Sequence, residues 1–391
     1  MRSIIVLLFC LFIGQLSFGQ QYQRLHQQSI LIDTHNDILT NAFEKQVSFD
    51  QDLTGKTHSD LQRMKEGGVD IQIFSVWCDG LQQQPFAYAN RQIDTLYAWV
   101  NRNPTNMMLV KTTADIKAAI AQKKFGAMIG VEGGHMIEND MRKLDSLFKR
   151  GARYMTLTWN NSNPWATSAM EETKDSLLHQ PKGLSAFGKK LVEHMNDIGM
   201  LVDISHVGEA TFWDVMNTTT KPVIASHSSA YALCPVFRNL KDDQLQAIGK
   251  NGGVVQVNFY SGFLDSNYNR NEAAFTASHK AERDSLLQAN PEPYFADLFL
   301  FEKYAAEVNN LKAPLSLLVN HIVHIARVAG IDHVGIGSDF DGINSTPQQL
   351  YDVTTYPLLT KALLQGGFSK KDVRKILGGN FMRVFFDNSE L

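Results

Sequence analysis

Eight apolar runs of strand length recur along this 391-residue chain, with helical patterns between them. They are ILIDTH (30–35), DIQIFSVW (70–77), GAMIGVE (126–132), YMTLTW (154–159), LVDISH (201–206), PVIASH (222–227), GVVQVNF (253–259) and HVGIGSD (333–339). Near-continuous apolar strands belong to a parallel sheet whose two faces are both covered by other elements. The intervening stretches, DTLYAWVN, EATFWDVM and SLLVNHIVHIARVAG among them, repeat apolar residues at three and four positions, as helices do. Eight such units predict an α/β fold closed into a (β/α)8 TIM-like barrel. The alternative is an open doubly wound sheet, but neither GxGxxG nor GxxxxGK[ST], the phosphate loops of many open sheets, is present.

The N-terminus, MRSIIVLLFCLFIGQLSFGQQ, has one positive charge at Arg2, an apolar core from Ile4 to Ile13 and small residues at Ser17 and Gly19. That core is too short to span a bilayer, so residues 1–19 read as a secretory signal peptide cleaved near Gly19. Residues 20–391 then form a single barrel domain that is exported, either periplasmic or secreted. No stable membrane anchor is expected in the mature chain, because the C-terminus FFDNSEL is polar. Cys78 and Cys234 are the cysteines that remain, which permits one disulfide but no disulfide framework. A net charge of −3 without blocks of like charge offers no surface for nucleic acid, and the expected ligand is small.

Barrel enzymes carry their chemistry at the C-terminal ends of the strands. Those positions hold His35, Asp37, Glu132, His206, His227 and Asp339. With 12 histidines in 391 residues, three at eight strand ends is well above chance, although any one alone reads more readily as a buried structural histidine. In an extended strand residues i and i+2 share a face, which sets His35 beside Asp37. Three imidazoles and two carboxylates suit a pair of zinc ions with one ligand shared, and no cysteine is placed to close a structural site. Such a pair holds a bridging hydroxide at neutral pH and polarises the carbonyl that it attacks. The Asp339 carboxylate is then placed to accept the proton and pass it to a leaving amine.

The stretches IDTHND, IGVEGGH, MLVDISHVG, PVIASHSSAYALC, FRNLKDD, VQVNFY, VGIGSDFDGI and GGNFMRVF span the chain from about Ile30 to Phe386. Through them it resembles the membrane dipeptidase (renal dipeptidase) family of zinc peptidases, within the metal-dependent hydrolase superfamily of (β/α)8 barrels. The resemblance implies two zinc ions per subunit, one held by His35, Asp37 and Glu132 and the other by Glu132, His206 and His227, with Glu132 bridging. It implies that Asp339 handles the proton, that Arg238 holds the substrate's terminal carboxylate, and that Tyr260 lies in the substrate pocket. The activity implied is hydrolysis of short peptides, dipeptides above all, with tolerance for a C-terminal D-residue. Dimerisation is common in the family, so a homodimer is compatible with it. One departure stands out: several members have a histidine after the fourth strand, in contact with substrate, where this chain has Trp159 in TLTWNNSNPWA. An indole donates one hydrogen bond and does not titrate, which shifts oxyanion stabilisation toward the metals or toward Asn160 or Asn161.

Two other functions remain open on the sequence: a different amide or lactone hydrolase of the same superfamily, and a metal-bearing binding protein without catalysis. Several residues also have plainer readings. Arg238 can serve as a surface ion-pair partner of Asp242 or Asp243, and Tyr260 as a core residue. His321 and His324 read as one helix face packed on the barrel, His135 as a rim or capping residue, Asp33 as a structural acceptor, and Asp341 as part of a turn with Gly342. Residues 261–311, rich in Asn, Glu and Lys, read as a long βα connection at the catalytic face, either a lid or a decoration.

Overall fold

Each of the eight apolar runs contributes a strand to one parallel sheet in the computed structural model, which describes residues 21–174, 182–289 and 293–389. The leader expected at 1–19 lies outside the described residues. In chain order the strands are β1 (Ile32–Asn36), β2 (Ile71–Trp77), β3 (Met107–Leu109), β4 (Phe125–Glu132), β5 (Ala152–Thr156), β6 (Leu201–Asp203), β7 (Ile224–Ala225), β8 (Val254–Val257) and β9 (Val334–Ile336). Pairing runs β1-β2-β4-β5-β6-β7-β8-β9. The ring closes where Asn36 bridges Phe340 in parallel, with Asp339 N–H donating to His35 O (3.2 Å) and Asp37 N–H to Phe340 O (3.0 Å). Helices such as Pro85–Arg102, Ala186–Asp197, Asp242–Asn251 and Leu315–Val328 follow the strands on the outside. This is the (β/α)8 TIM barrel.

Alternation along the strands sorts the core into two layers. On β4, Ala127, Ile129 and Val131 join the large cluster between sheet and helices, while Met128 joins a smaller one with Ile32, Ile73, Tyr154, Leu201 and Val254 inside the barrel. Above that inner layer the same face of β4 ends in Glu132 and that of β2 in Ser75 and Trp77. Gly130 has to be glycine, because a Cβ there would collide with the Tyr154 ring that crosses the barrel.

β3 was not expected. Its three residues, MML, are too few to show a period, and it pairs only with the lower half of β4 (Phe125, Gly126 and Ala127), leaving the upper half to β5. The stretch 261–311 is a run of helices, Ser266–Ser278, Lys280–Ala289, Pro293–Lys303 and Ala305–Leu311 among them, with its own small core of Phe275, Leu300, Phe301 and Val308. The permitted disulfide is absent: Cys78 and Cys234 are both free and buried. Among the described residues no helix is long and apolar enough to cross a membrane.

Two buried aspartates tie the strand ends together. Asp33 accepts from Ser338 N (2.9 Å), Ser338 Oγ (2.5 Å) and Tyr356 Oη (2.6 Å), bracing β1 against the end of β9. Asp203 accepts from Ser226 N (2.8 Å) and Oγ (2.6 Å) and from Thr156 Oγ1 (2.5 Å), which joins β5, β6 and β7. His321 and His324 are structural, as their helical spacing suggests. His321 Nδ1 accepts from Ala230 N (3.0 Å) and its Nε2–H donates to Leu264 O (3.1 Å), so both bonds need the neutral ring. Burial pushes its pKa down to about 4. A folded-state pKa below the unfolded value of 6.5 gives stability that is complete above pH 6.5 and lost as pH falls toward 4. The loss assigned to this group is up to roughly 3 kcal/mol. Chemical denaturation between pH 7 and 4 should therefore show a shallower acid loss in His321→Gln than in the wild type; equal slopes would contradict the assignment.

Candidate active site

Left-handed backbone occurs at two of the strand ends that carry the candidate residues. His206 (φ 64°), Asp339 (φ 64°) and Asp341 (φ 69°) all adopt it, a conformation that non-glycine residues take up at a cost of about 1–3 kcal/mol where surrounding structure enforces it. The strands β6, β7 and β9 stop short of their expected ends, so His206, His227 and Asp339 stand on the turns above the sheet rather than in it. Asp37 has left its strand too. It caps the helix Ile38–Glu44 (φ −101°, ψ 21°), and β1 shifts register between Asp33 and Asn36. The expected pairing with His35 is present, but through this irregularity and not through a regular pleat.

Turning the chain at these points brings all six residues to one place. His35 Nε2 lies 3.2 Å from Glu132 Oε2, 3.4 Å from Asp37 Oδ2 and 4.0 Å from Asp339 Oδ1. The other Glu132 oxygen is 2.9 Å from His206 Nε2 and 3.5 Å from His227 Nε2. The His35 and His227 rings stack at 3.8 Å between centroids. Gly342 leaves room for the carboxylates, since a Cβ there would meet both Asp37 and Asp339.

The hydrogen bonds behind the imidazoles fix their protons. Tyr154 donates to Thr34 O (3.1 Å), so its 2.9 Å contact with His35 is a bond from Nδ1–H to the phenol oxygen. Ser226 donates to Asp203, so His227 Nδ1–H donates to Ser226 Oγ (2.7 Å). Asn160 Oδ1 can only accept, so His206 Nδ1–H donates to it (3.1 Å). In the neutral form of each ring Nε2 is then the atom with the lone pair, and those of His206 and His227 face each other at 2.9 Å. Such a contact is repulsive unless a cation sits on it.

The charges agree. Burial lowers the His35 pKa, but Tyr154, Glu132 and Asp37 outweigh it and hold the imidazole well above its ordinary value, a sign of how strongly this spot draws positive charge. Burial, and then the charge of Arg238, push His206 down to about 4; burial and then His35 hold His227 well below the ordinary range. Burial, reinforced by Asp37 and Glu132, keeps Asp339 well above the usual carboxylate range, and Asn258 donates to its Oδ2 (2.8 Å).

A cavity of about 520 Å³ opens over this cluster, lined also by Trp77, Trp159, Asn160, Phe237, Arg238, Tyr260 and Phe263. Arg238 is not the surface ion-pair partner that one reading allowed. It is 5 % exposed, donates to His227 O (3.2 Å), and lies over the Phe263 ring at 5.4 Å; Asp242 pairs with His324 instead. Trp159 packs edge-on against Trp77 at 5.0 Å. Tyr260 Oη is 3.4 Å from Glu272 Oε2. His135 is turned to Cys78 O (3.1 Å), and Asp341, which belongs to the lining, has its carboxylate engaged by His58 N and Ser59 Oγ.

A family model described as membrane dipeptidase, peptidase family M19, matches residues 19–390. The chain belongs to the membrane dipeptidase family. It is a metallo-dipeptidase. Solved structures agree on the fold. A probable dipeptidase, PvdM, from Pseudomonas aeruginosa is 25% identical with a TM-score of 0.76, over 96% of this chain and 99% of that one. A metallo peptidase from Rhodobacter sphaeroides, solved with a phosphinate mimic of the dipeptide L-Ala-D-Ala, is 23% identical with a TM-score of 0.74, over 92% and 99%. An amidohydrolase from P. aeruginosa is 23% identical with a TM-score of 0.72, over 95% and 99%.

The family is metal-dependent, and the residues present fit a metal. His35 Nε2 and Asp37 Oδ1 are buried without a hydrogen-bond partner, and the donor set of imidazole nitrogens and carboxylate oxygens suits divalent ions of the zinc type. Tyr154, Ser226, Asn258 and Ser75, which donates to Glu132 Oε2 (3.1 Å), were not singled out in the sequence. Only Ser226, next to His227, and Asn258, a polar residue just past an apolar strand, left any trace there. Removing metal with a chelator should lower the Tm and adding it back should restore it, because a ligand that binds only the folded chain stabilises it by about 4 kcal/mol at 1,000 times its Kd. An unchanged Tm with metal shown to be gone would contradict this.

Proposed function

We propose that this metallo-dipeptidase hydrolyses dipeptides with a free C-terminal carboxylate, using two zinc ions. One is held by His35, Asp37 and Glu132 and the other by Glu132, His206 and His227, with Glu132 shared. The observation that carries the reading is Arg238: a buried guanidinium, lowered to about 10 by burial and so still charged at neutral pH, faces the same cavity with no carboxylate within 4.0 Å among the described residues. A buried, unpaired cation is costly, and the planar guanidinium fork matches a carboxylate. The dipeptide mimic bound by the R. sphaeroides relative supports a substrate of this size, with a D-residue accepted at the C-terminus.

When bound, the zinc ions supply Lewis acidity at the scissile carbonyl and a water made nucleophilic at neutral pH. The rest falls to the chain. Arg238 anchors the carboxylate end, and Tyr260 and Trp159 flank the peptide. Asp339, with Oδ2 held by Asn258 and Oδ1 facing the ligand cluster, accepts the proton of the attacking water and delivers it to the leaving amine. Trp159 cannot exchange a proton, so Asp339 is the titrating group on that path.

Purified protein loaded with zinc should turn over a panel of L,L- and L,D-dipeptides and hold two zinc ions by elemental analysis, whereas Glu132→Ala should lose the pair; two ions in that variant would end its bridging role. Arg238→Ala should raise KM about 100-fold, in line with breaking a buried charge pair. If KM rose for no dipeptide, a different amide or lactone would be the substrate. Asp339→Asn should lower kcat by about 100-fold or more with little change in KM. Full metal occupancy without turnover of any substrate would favour a binding protein.

A further inference from the structure

The cavity has two unlike ends. On the β7–β8 side Arg238 is accompanied by Phe237, Tyr260 and Phe263. Across the barrel, above β2 and β5, the wall is the edge-on pair Trp77 and Trp159, and two residues past Trp77 stands the exposed Asp79. Asp79 Oδ1 accepts from Leu81 N (2.8 Å), and among the described residues no Lys, Arg or His comes within 4.0 Å of its carboxylate. Among the described residues Arg238 is the only Lys or Arg in that lining, so no cation of the lining stands beside Asp79.

Resting on the dipeptidase reading, we propose that the enzyme prefers dipeptides whose N-terminal residue has a cationic side chain, with Trp77, Trp159 and Asp79 as its specificity-determining residues. With the C-terminal carboxylate on Arg238 and the scissile carbonyl over the ligand cluster, the N-terminal residue extends to the Trp77–Trp159 side. A tryptophan face attracts an ammonium or guanidinium through its quadrupole, and a nearby carboxylate adds to the attraction. The cavity volume of about 520 Å³ leaves space for a long side chain.

The test is kcat/KM for Lys-Ala, norleucyl-Ala and Glu-Ala on the zinc-loaded enzyme. Lys-Ala should exceed its uncharged isostere by about tenfold, the equivalent of about 1.4 kcal/mol, with Glu-Ala lowest. Asp79→Asn should reduce that ratio to about twofold or threefold, 0.5 M salt should do the same, and Asp79→Lys should raise Glu-Ala above Lys-Ala, a gain that misfolding does not produce. Equal values for Lys-Ala and norleucyl-Ala, or a preference that Asp79→Asn and Asp79→Lys both leave intact, would overturn this inference alone. Hydrolysis of none of the three would overturn the dipeptidase reading along with it.

Discussion

Three imidazole lone pairs directed at one buried carboxylate set the terms for the rest of this protein. His35, His206 and His227 each commit Nδ1–H to a neighbour, so in the neutral rings each Nε2 presents its lone pair toward Glu132, and two of them face each other. Lone pairs crowded in this way repel one another, and something positive has to relieve them. A cation does, which is why the folded chain and its metal belong together thermodynamically.

Holding that arrangement is largely the work of the barrel. Three of its strands end early, and the site residues beyond them stand on turns where the backbone is left-handed at His206 and Asp339. Strain of that kind persists only if neighbours enforce it. Asp33 and Asp203 do so from just below, each gathering backbone and hydroxyl donors from adjoining strands, and the Tyr154 ring crosses the space that Gly130 leaves open to reach His35. The Asp203 bonds reach the histidine–carboxylate cluster through one intermediary, Ser226, which both donates to Asp203 and receives His227. Packing, backbone strain and imidazole tautomer are therefore linked along one chain of contacts.

Much of this could be read from the residues. Runs such as DIQIFSVW and GAMIGVE are apolar on both faces, which requires a covered parallel sheet, and their number requires closure. His206, His227 and Asp339 drew attention because polar residues ended otherwise apolar runs. Legibility failed where the pattern was too short or too local. β3 has three residues and no measurable period. The 261–311 segment is polar overall, and its helices were hidden because their apolar contacts, Phe275 with Phe301 for example, serve a satellite core and not the barrel. His35 and Asp37 come together through a register shift and the start of the following helix, which a regular pleat does not describe.

Residue type and order pointed to a covered parallel sheet, to the barrel ahead of the open sheet, and to a group of candidate metal-binding side chains at the strand ends, because hydrophobic period and side-chain chemistry are local properties of the chain. Whether Arg238 is a surface ion-pair partner or a buried charge facing the cavity was beyond the sequence, since burial depends on what Phe263 and the β7 turn place around it. The same holds for the tautomers. Which nitrogen of His35 carries the proton depends on a tyrosine 119 residues away and on the carbonyl that this tyrosine itself engages. Contacts of that range exist only once the ring of strands has closed.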